Sequence, residues 1–228
     1  MSDNKPWQAW RKTFRDVPAK TATQHLVNTW HLATRAYPHK FKPSIRENKI
    51  TEFLWNQIHR ASAAAKLTGK WTYEDPQVIF DAGGDEVISR TRSDITYFSD
   101  RQKPTLFLVF EFKKLKDQNT SRATYQGDDG MMRFVDGYYC VGWPYAVMVG
   151  MIIGDVHECV NNLKRSLNVA GTRSALCMGP DNAVYVRVPS TLLDPSAEFD
   201  TEHRRPTSQA PSGNGTTTLS HIFLPMPE

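Results

Sequence analysis

Cysteine is scarce in this chain and nowhere paired. Cys140, Cys159 and Cys177 are odd in number, lie far apart and form no C-x-x-C unit. That spacing argues against a zinc site or a disulfide framework and for reduced, mostly buried thiols. Long apolar runs are missing too. The longest, Tyr145 to Gly154, is about half of what a membrane-spanning helix requires, so no membrane partner is expected. The first residues lack the apolar core of a signal peptide, which makes the cytoplasm the expected location. No Walker loop, dinucleotide fingerprint or nucleophile elbow occurs, and no internal repeat. What remains is an ordinary globular composition, 39% hydrophobic and 23% charged over 228 residues, enough for one domain with a sizeable core. The net charge of +4 is compatible with a polyanionic partner without demanding one.

Three segments divide the chain. Residues 1–43 carry Trp7, Trp10, Phe14, Trp30 and Tyr37 among basic residues and read as one or two short helices closed by Pro38 and Pro43. Aromatics at this density favour an extension packed on the core over a free tail, although rings interleaved with cations also suit stacking on single-stranded nucleic acid. Residues 44–193 hold the core. Residues 194–228 form a Pro/Ser/Gly-rich tail, expected to be mobile from Arg205 to Gly215, that returns with a short strand at 219–224.

Within the core, Ser44 to about Leu67 is the clearest helix. Ser44 and Glu47 have the S-x-x-E spacing of a capping box, Ile50, Leu54, Ile58, Ala61 and Ala65 form an inward stripe, and Gly69 closes the segment. Trp71 to Phe80 reads as a strand interrupted near Pro76, followed by a tight turn at residues 81–86 and one or two strands between Glu86 and Phe98. Gly83-Gly84-Asp85-Glu86 resembles the GGDEF motif of diguanylate cyclases, but Val87 replaces the aromatic residue and the surrounding order of elements is wrong. Thr105–Leu115 and Tyr145–Gly154 are apolar at both parities, the pattern of strands buried on both faces. A glycine-weakened helix from Arg122 to Tyr139 lies between them. Asp155 and Glu158 open a further helix running to about Asn168, and Val184, Val186 and Val188 alternate as a strand. The order predicts an α/β fold with a mixed central sheet flanked by helices.

The chemistry concentrates in two adjoining strands. Glu111 and Lys113 are two residues apart and share a face with Val109. Burying either charge alone costs several kcal/mol, so each needs a partner or an ion; the alternative is that the strand simply ends there and both reach solvent. Asp94, in Arg92-Ser-Asp-Ile-Thr-Tyr-Phe98, is joined to the next strand by a short polar connection. A hairpin there folds Asp94 back beside Glu111. Two adjacent carboxylates require a shared proton or a divalent cation, and oxygen ligands of this kind select Mg²⁺ or Mn²⁺. Glu47 lies on the inward stripe of its helix and is a third candidate acid; its alternative role is the capping box alone. Glu52 faces water. His203 and His221 are near enough to meet as the tail returns, but surface or core positions are the default.

A helix acid, then Asp94, sixteen residues and Glu111-Phe-Lys113, followed by a helix and a strand, resembles the PD-(D/E)XK nuclease superfamily. That resemblance implies a restriction-endonuclease-like α-β-β-β-α-β core. It implies Asp94, Glu111 and Glu47 as metal ligands, and Lys113 as the residue that positions or activates water. Gln126 would match the family's frequent helix glutamine, and Arg122 and Arg133 would hold the phosphate backbone; a solvated helix face is the alternative for both arginines. The sequence departs from the family in having Ser93 where proline is common before the Asp. Tyr125 to Tyr139 and the late His221-Ile-Phe-Leu strand resemble a bacterial branch of nuclease-like proteins linked to phage defence and mobile elements. The implied function is a Mg²⁺-dependent DNA endonuclease, with a partner ATPase or helicase, or self-association, supplying specificity. The alternatives are a non-catalytic nucleic-acid-binding or assembly subunit of the same fold, and an RNase.

Overall fold

The computed structural model describes residues 16–80, 87–101, 105–140, 143–179, 186–205 and 215–227. The turn expected at residues 81–86 and the stretch 206–214 expected to be mobile lie outside them. In chain order the elements are α1 (Asp16–Ala36), a 3₁₀ turn (Pro38–Lys40), α2 (Glu47–Ala61), β1 (Lys70–Phe80), β2 (Val87–Ser99), β3 (Leu106–Lys116), α3 (Asn119–Gln126), α4 (Met132–Val135), β4 (Tyr145–Ile153), α5 (Val156–Leu167), α6 (Ala170–Ala175), β5 (Val186–Arg187), β6 (Phe199–Arg204) and β7 (Thr216–Pro225). No helix among the described residues is long and apolar enough to cross a membrane.

One mixed sheet runs in the order β1-β2-β3-β4-β7-β6-β5. β1, β2 and β3 form an antiparallel meander, β4 is parallel to both β3 and β7, and β6 and β5 complete the sheet antiparallel. β3 and β4 lie inside the sheet and are covered on both faces, which is why they are apolar at both parities. Their even and odd residues face two separate cores. Leu108, Phe110 and Phe112 meet the inward faces of α1 and α2, including Leu26, Trp30, Ile50 and Leu54. Val109 and Leu115 meet Tyr125, Phe134, Leu163 and Leu167 on the other side.

The N-terminal segment is one long helix within the described residues rather than two short ones. It is part of the first core, and the Trp30 indole N–H donates to the Pro225 carbonyl at 3.0 Å. β1 runs through Pro76 without interruption, because Pro76 pairs with Arg92 in the ladder; the irregularity is at Glu74, whose φ of 46° lies in the left-handed region. The helix expected over Arg122–Tyr139 starts earlier and breaks in two. At Gly130 a Cβ would meet the Tyr125 carbonyl at 2.0 Å, so the chain turns where only glycine fits. α5 begins as the sequence indicates, with Asp155 accepting from the Glu158 amide at 2.8 Å.

The C-terminal segment is the largest departure. Residues 216–225 form a full strand between β4 and β6, longer than the expected 219–224, and 199–204 form a strand where composition indicates only a Pro/Ser/Gly-rich tail. The polar residues of β6 other than Arg204 are buried, and each is hydrogen-bonded within the strand or to a neighbouring segment. Nδ1 of His203 faces the Leu176 carbonyl at 2.7 Å and must donate, leaving Nε2 as an acceptor for the single hydroxyl proton of Thr201 at 2.8 Å. Thr201 then accepts from Nε2 of His221 at 2.8 Å, and Nδ1 of His221 accepts from the Tyr125 hydroxyl at 2.9 Å. Burial holds both imidazoles neutral, pushing His203 down to about 4 and His221 well below its ordinary value. The two histidines are core residues that tie the C-terminal strands to α3.

Candidate active site

β2 pairs with β3 only as far as Ile95 opposite Phe110. β3 continues beyond that point with β4 on one edge and, among the described residues, no strand on the other. The amides of Phe112, Lys114 and Lys116 alternate along the strand and therefore point to that open edge. Each is met by a side chain. Asp94 Oδ2 accepts from Phe112 at 2.8 Å, Glu47 Oε2 from Lys114 at 2.9 Å, and Ser121 Oγ from Lys116 at 2.9 Å. The two carboxylates thus stand in for a missing strand.

Glu111 and Lys113 project from β3 toward the second core, together with Val109, and are 3% and 9% exposed. The reading in which they reach solvent is therefore ruled out. The Lys113 ammonium donates to Glu111 Oε1 at 2.9 Å and to Glu47 Oε1 at 2.9 Å. Glu47 belongs to a helix on the opposite face of the sheet and reaches Lys113 around the edge that β2 has left. Its position comes from a delayed helix start. The Lys114 ammonium takes the carbonyls of Pro43 and Ile45, so α2 begins at Glu47 with no side-chain cap, and the expected capping box does not form. The helix also ends at Ala61, earlier than expected.

The electrostatics follow from burial and crowding. Desolvation pushes Glu111 up to about 8, helped by the charge of Asp94 and opposed by Lys113. Asp94 is pushed up to about 6 by desolvation, against the pull of Lys113 and of the Phe112 amide. Burial works against the Lys113 ammonium, but Glu111, Glu47 and Asp94 together outweigh it and hold its pKa above the ordinary value. Glu111 Oε2 is buried and has no hydrogen-bond partner among the described residues. A buried carboxylate oxygen with nothing donating to it is costly and calls for a proton or a cation.

Those features fit a divalent cation held by oxygen ligands. The orphaned Glu111 oxygen and the neighbouring Asp94 carboxylate are hard oxygen donors of the kind such an ion takes, and burial, which raises both pKa values, makes a compensating positive charge favourable there. Glu47 fits less directly, since both of its oxygens are taken by Lys113 and Lys114. Among the described residues no three His, Cys, Asp or Glu side chains are placed to close on one ion as they stand.

The remaining expected contacts divide. Arg133 lies close enough to Asp94 and Glu111 to ease both carboxylates, and it donates to the Tyr139 hydroxyl and to Asp129. Gln126 is occupied elsewhere, bonded to Ser166 on α5 at 3.1 Å. Arg122 is paired with Asp117 at 2.6 Å and is largely covered. Sequence reasoning gave no role to Tyr139, whose hydroxyl donates to the Arg92 carbonyl at 2.6 Å and so joins this loop to β2 near Asp94. Burial and the Glu111 charge push it up to about 12. Arg205, expected to begin a mobile stretch, is 5% exposed and donates to the carbonyls of Phe134, Cys140 and Trp143, each at 3.0 Å. It pins the loop that carries Tyr139. Neither residue stands in a periodic pattern, so no sequence signal marks them.

No protein-family model matches this chain, and no curated protein or solved structure matches it significantly. The functional reading rests on the residues themselves.

Proposed function

We propose that this chain is a metal-dependent DNA endonuclease of the PD-(D/E)XK type that hydrolyses phosphodiester bonds. The observation that carries the reading is the gathering of three acids at the open edge of β3, Glu111 and Glu47 on the Lys113 ammonium and Asp94 on the adjoining Phe112 amide, with a buried Glu111 oxygen that has no hydrogen-bond partner among the described residues. The order α2-β1-β2-β3-α3-β4, with β4 parallel to β3, agrees with the core that the resemblance implies. A bound Mg²⁺ or Mn²⁺ would polarise the scissile phosphate and acidify a water.

The protein's own groups divide the remaining work. Asp94 and Glu111 supply the ligand oxygens. Lys113 presents an ammonium beside them that orients the attacking water and offsets negative charge developing on the phosphate. Glu47 is a positioning residue that fixes Lys113 and closes the strand edge. Arg133, held by Tyr139 and close enough to act on both carboxylates, is the cation beside the cluster that would steady the phosphate backbone. A partner ATPase or helicase, or self-association, would supply specificity, and phage defence or mobile-element biology is the setting that the resemblance favours.

One observation favours a second reading. Lys113 already neutralises part of the cluster, so a protein of this fold could keep it as an internal ion pair and bind nucleic acid without cutting. Incubation of plasmid DNA with Mg²⁺ or Mn²⁺, beside Asp94→Ala and Lys113→Ala, separates the two. Cutting by the wild type alone supports the nuclease. Cutting that survives both substitutions removes the site, and no cutting by any of the three supports the binding protein. The same incubation with RNA tests the RNase alternative.

A further inference from the structure

The surface beside the carboxylates is strongly cationic. From Pro38 to Lys49 the chain reads Pro-His-Lys-Phe-Lys-Pro-Ser-Ile-Arg-Glu-Asn-Lys. Lys40, Lys42, Arg46 and Lys49 are all exposed, whereas the single acid of the segment, Glu47, is turned away into the cluster. Charge of one sign collected on a short stretch attracts a polyanion.

Next to this rim, a groove of about 650 Å³ opens against α2, between Lys40 and Lys49 and over Phe53 and Trp55. Its wall is aromatic. Phe53 meets Tyr37 edge-on at 5.4 Å, Trp55 lies stacked on His59 at 5.7 Å, and the Lys40 ammonium sits 5.9 Å from the Phe53 ring. Ile45 lines the same groove, and its carbonyl receives the Lys114 ammonium, so the groove adjoins the strand that carries Glu111 and Lys113. Along α2, Trp55 is eight residues from Glu47, or about 12 Å at the helical rise. That is a span of a few nucleotides.

Flat apolar rings between two lysines match an unpaired nucleotide: a base has a face to lay on an aromatic wall, and its phosphates pair with ammonium groups. A duplex keeps its bases stacked inside and offers phosphates and base edges but no base face to stack. We propose that this groove is a subsite for an unpaired base and its flanking phosphates, which makes the favoured substrate a single-stranded segment leading into the carboxylate cluster. The substrate class rests on the nuclease reading; the binding does not. Glu52 acts against the ligand, because its ion pair with Lys49 at 2.8 Å draws that ammonium from the phosphate.

The test is equilibrium binding of labelled twelve-nucleotide strands to the full chain in EDTA, where nothing is cut. Oligo(dT) is compared with an abasic strand of equal length and charge, with the matching duplex, and with oligo(U). Oligo(dT) should bind about tenfold more tightly than the abasic strand, within the range set by stacking one base. Lys40→Glu with Lys49→Glu should weaken oligo(dT) by at least as much, and Glu52→Gln should tighten it a few-fold. All three positions are exposed, so these variants should fold, as circular dichroism will verify. Oligo(U) bound as tightly as oligo(dT) assigns the subsite to either nucleic acid; preference for one names it. Equal binding of the abasic strand or duplex, or no response to the charge reversals, overturns the proposal. So does a change in sedimentation mass on Lys40→Glu with Lys49→Glu that leaves oligonucleotide binding intact, since a second copy of the chain would then be the occupant. Base-dependent binding by a protein that fails to cut plasmid DNA would leave this subsite standing and sink only the nuclease.

Discussion

Glu111→Gln should make the metal-free protein more stable in alkali while abolishing its response to Mg²⁺. The Glu111 carboxyl is 3% exposed and pushed up to about 8 from an ordinary 4.5. In the unfolded chain it loses its proton near 4.5, whereas the folded protein retains it to about 8. Between those values the native state binds the extra proton, so stability is full below the lower value and falls as pH rises through the upper one. At about 1.4 kcal/mol for each pH unit crossed, the loss approaches about 5 kcal/mol, with the help of Lys113 already included. That is a large part of the 5–15 kcal/mol typical of a whole domain. Asp94 adds a smaller loss of the same sign, from its ordinary 3.8 to about 6. Glutamine keeps an oxygen for Lys113 and has no proton to lose, so only the Asp94 part remains. Urea unfolding at pH 5, 7 and 9, with EDTA or excess Mg²⁺, measures all of this. Wild type should weaken steeply toward pH 9 and recover with Mg²⁺; Glu111→Gln should show a flatter profile and no recovery. Parallel pH profiles for the two proteins, or equal stabilisation of both by Mg²⁺, would refute the reasoning.

Other substitutions probe separate parts of the structure. Lys113→Met leaves Glu111 and Glu47 without their shared cation, and should abolish plasmid cutting and cost about 3–5 kcal/mol in urea unfolding at pH 9, where Glu111 has lost its proton, but less at neutral pH, where the folded protein retains it. Thr201→Val interrupts the bonded series from Tyr125 to Leu176 and strands two imidazole nitrogens; it should cost about 2 kcal/mol with DNA binding unchanged. Gln126→Ala should leave cutting within about twofold of wild type, because its amide is bound to Ser166, whereas Arg133→Ala should slow cutting at least tenfold, within the range of about 1.5–3 kcal/mol for a hydrogen bond to a charged group. A reversed order of those two effects would place the glutamine, not the arginine, at the phosphate.

Much of this arrangement was legible in the sequence where burial acts on a whole strand. Val109, Phe110 and Phe112 announce a strand covered on both sides, and the two-residue period places Glu111 and Lys113 together on one face. Asp155 marks its helix because capping is local chemistry. Glu47 falls on the inward stripe as helical spacing indicates, but its partners leave no mark in the sequence, since the S-x-x-E spacing presumes a helix starting at Ser44. Lys114, distant in sequence, takes the carbonyls of Pro43 and Ile45 and moves that start. β6 is hidden in the sequence for a related reason. Phe-Asp-Thr-Glu-His-Arg is too polar to read as a core strand, and its burial depends on hydrogen-bond partners brought in by β7, α3 and the Leu176 loop. Partners of that kind leave no period in the chain.

The side chains that seal the open edge of β3 carry a liability for anyone who removes them. An unpaired strand with free amides is a template for another strand. Asp94→Ala and Glu47→Ala, the obvious inactive controls, each uncover one such amide on a strand flanked by Phe110, Phe112 and Leu115. These variants should be more prone to self-association than the wild type as their concentration rises, with strands adding edge to edge. The acids proposed to cut DNA would then also keep the protein soluble, and solubility alone would resist their loss.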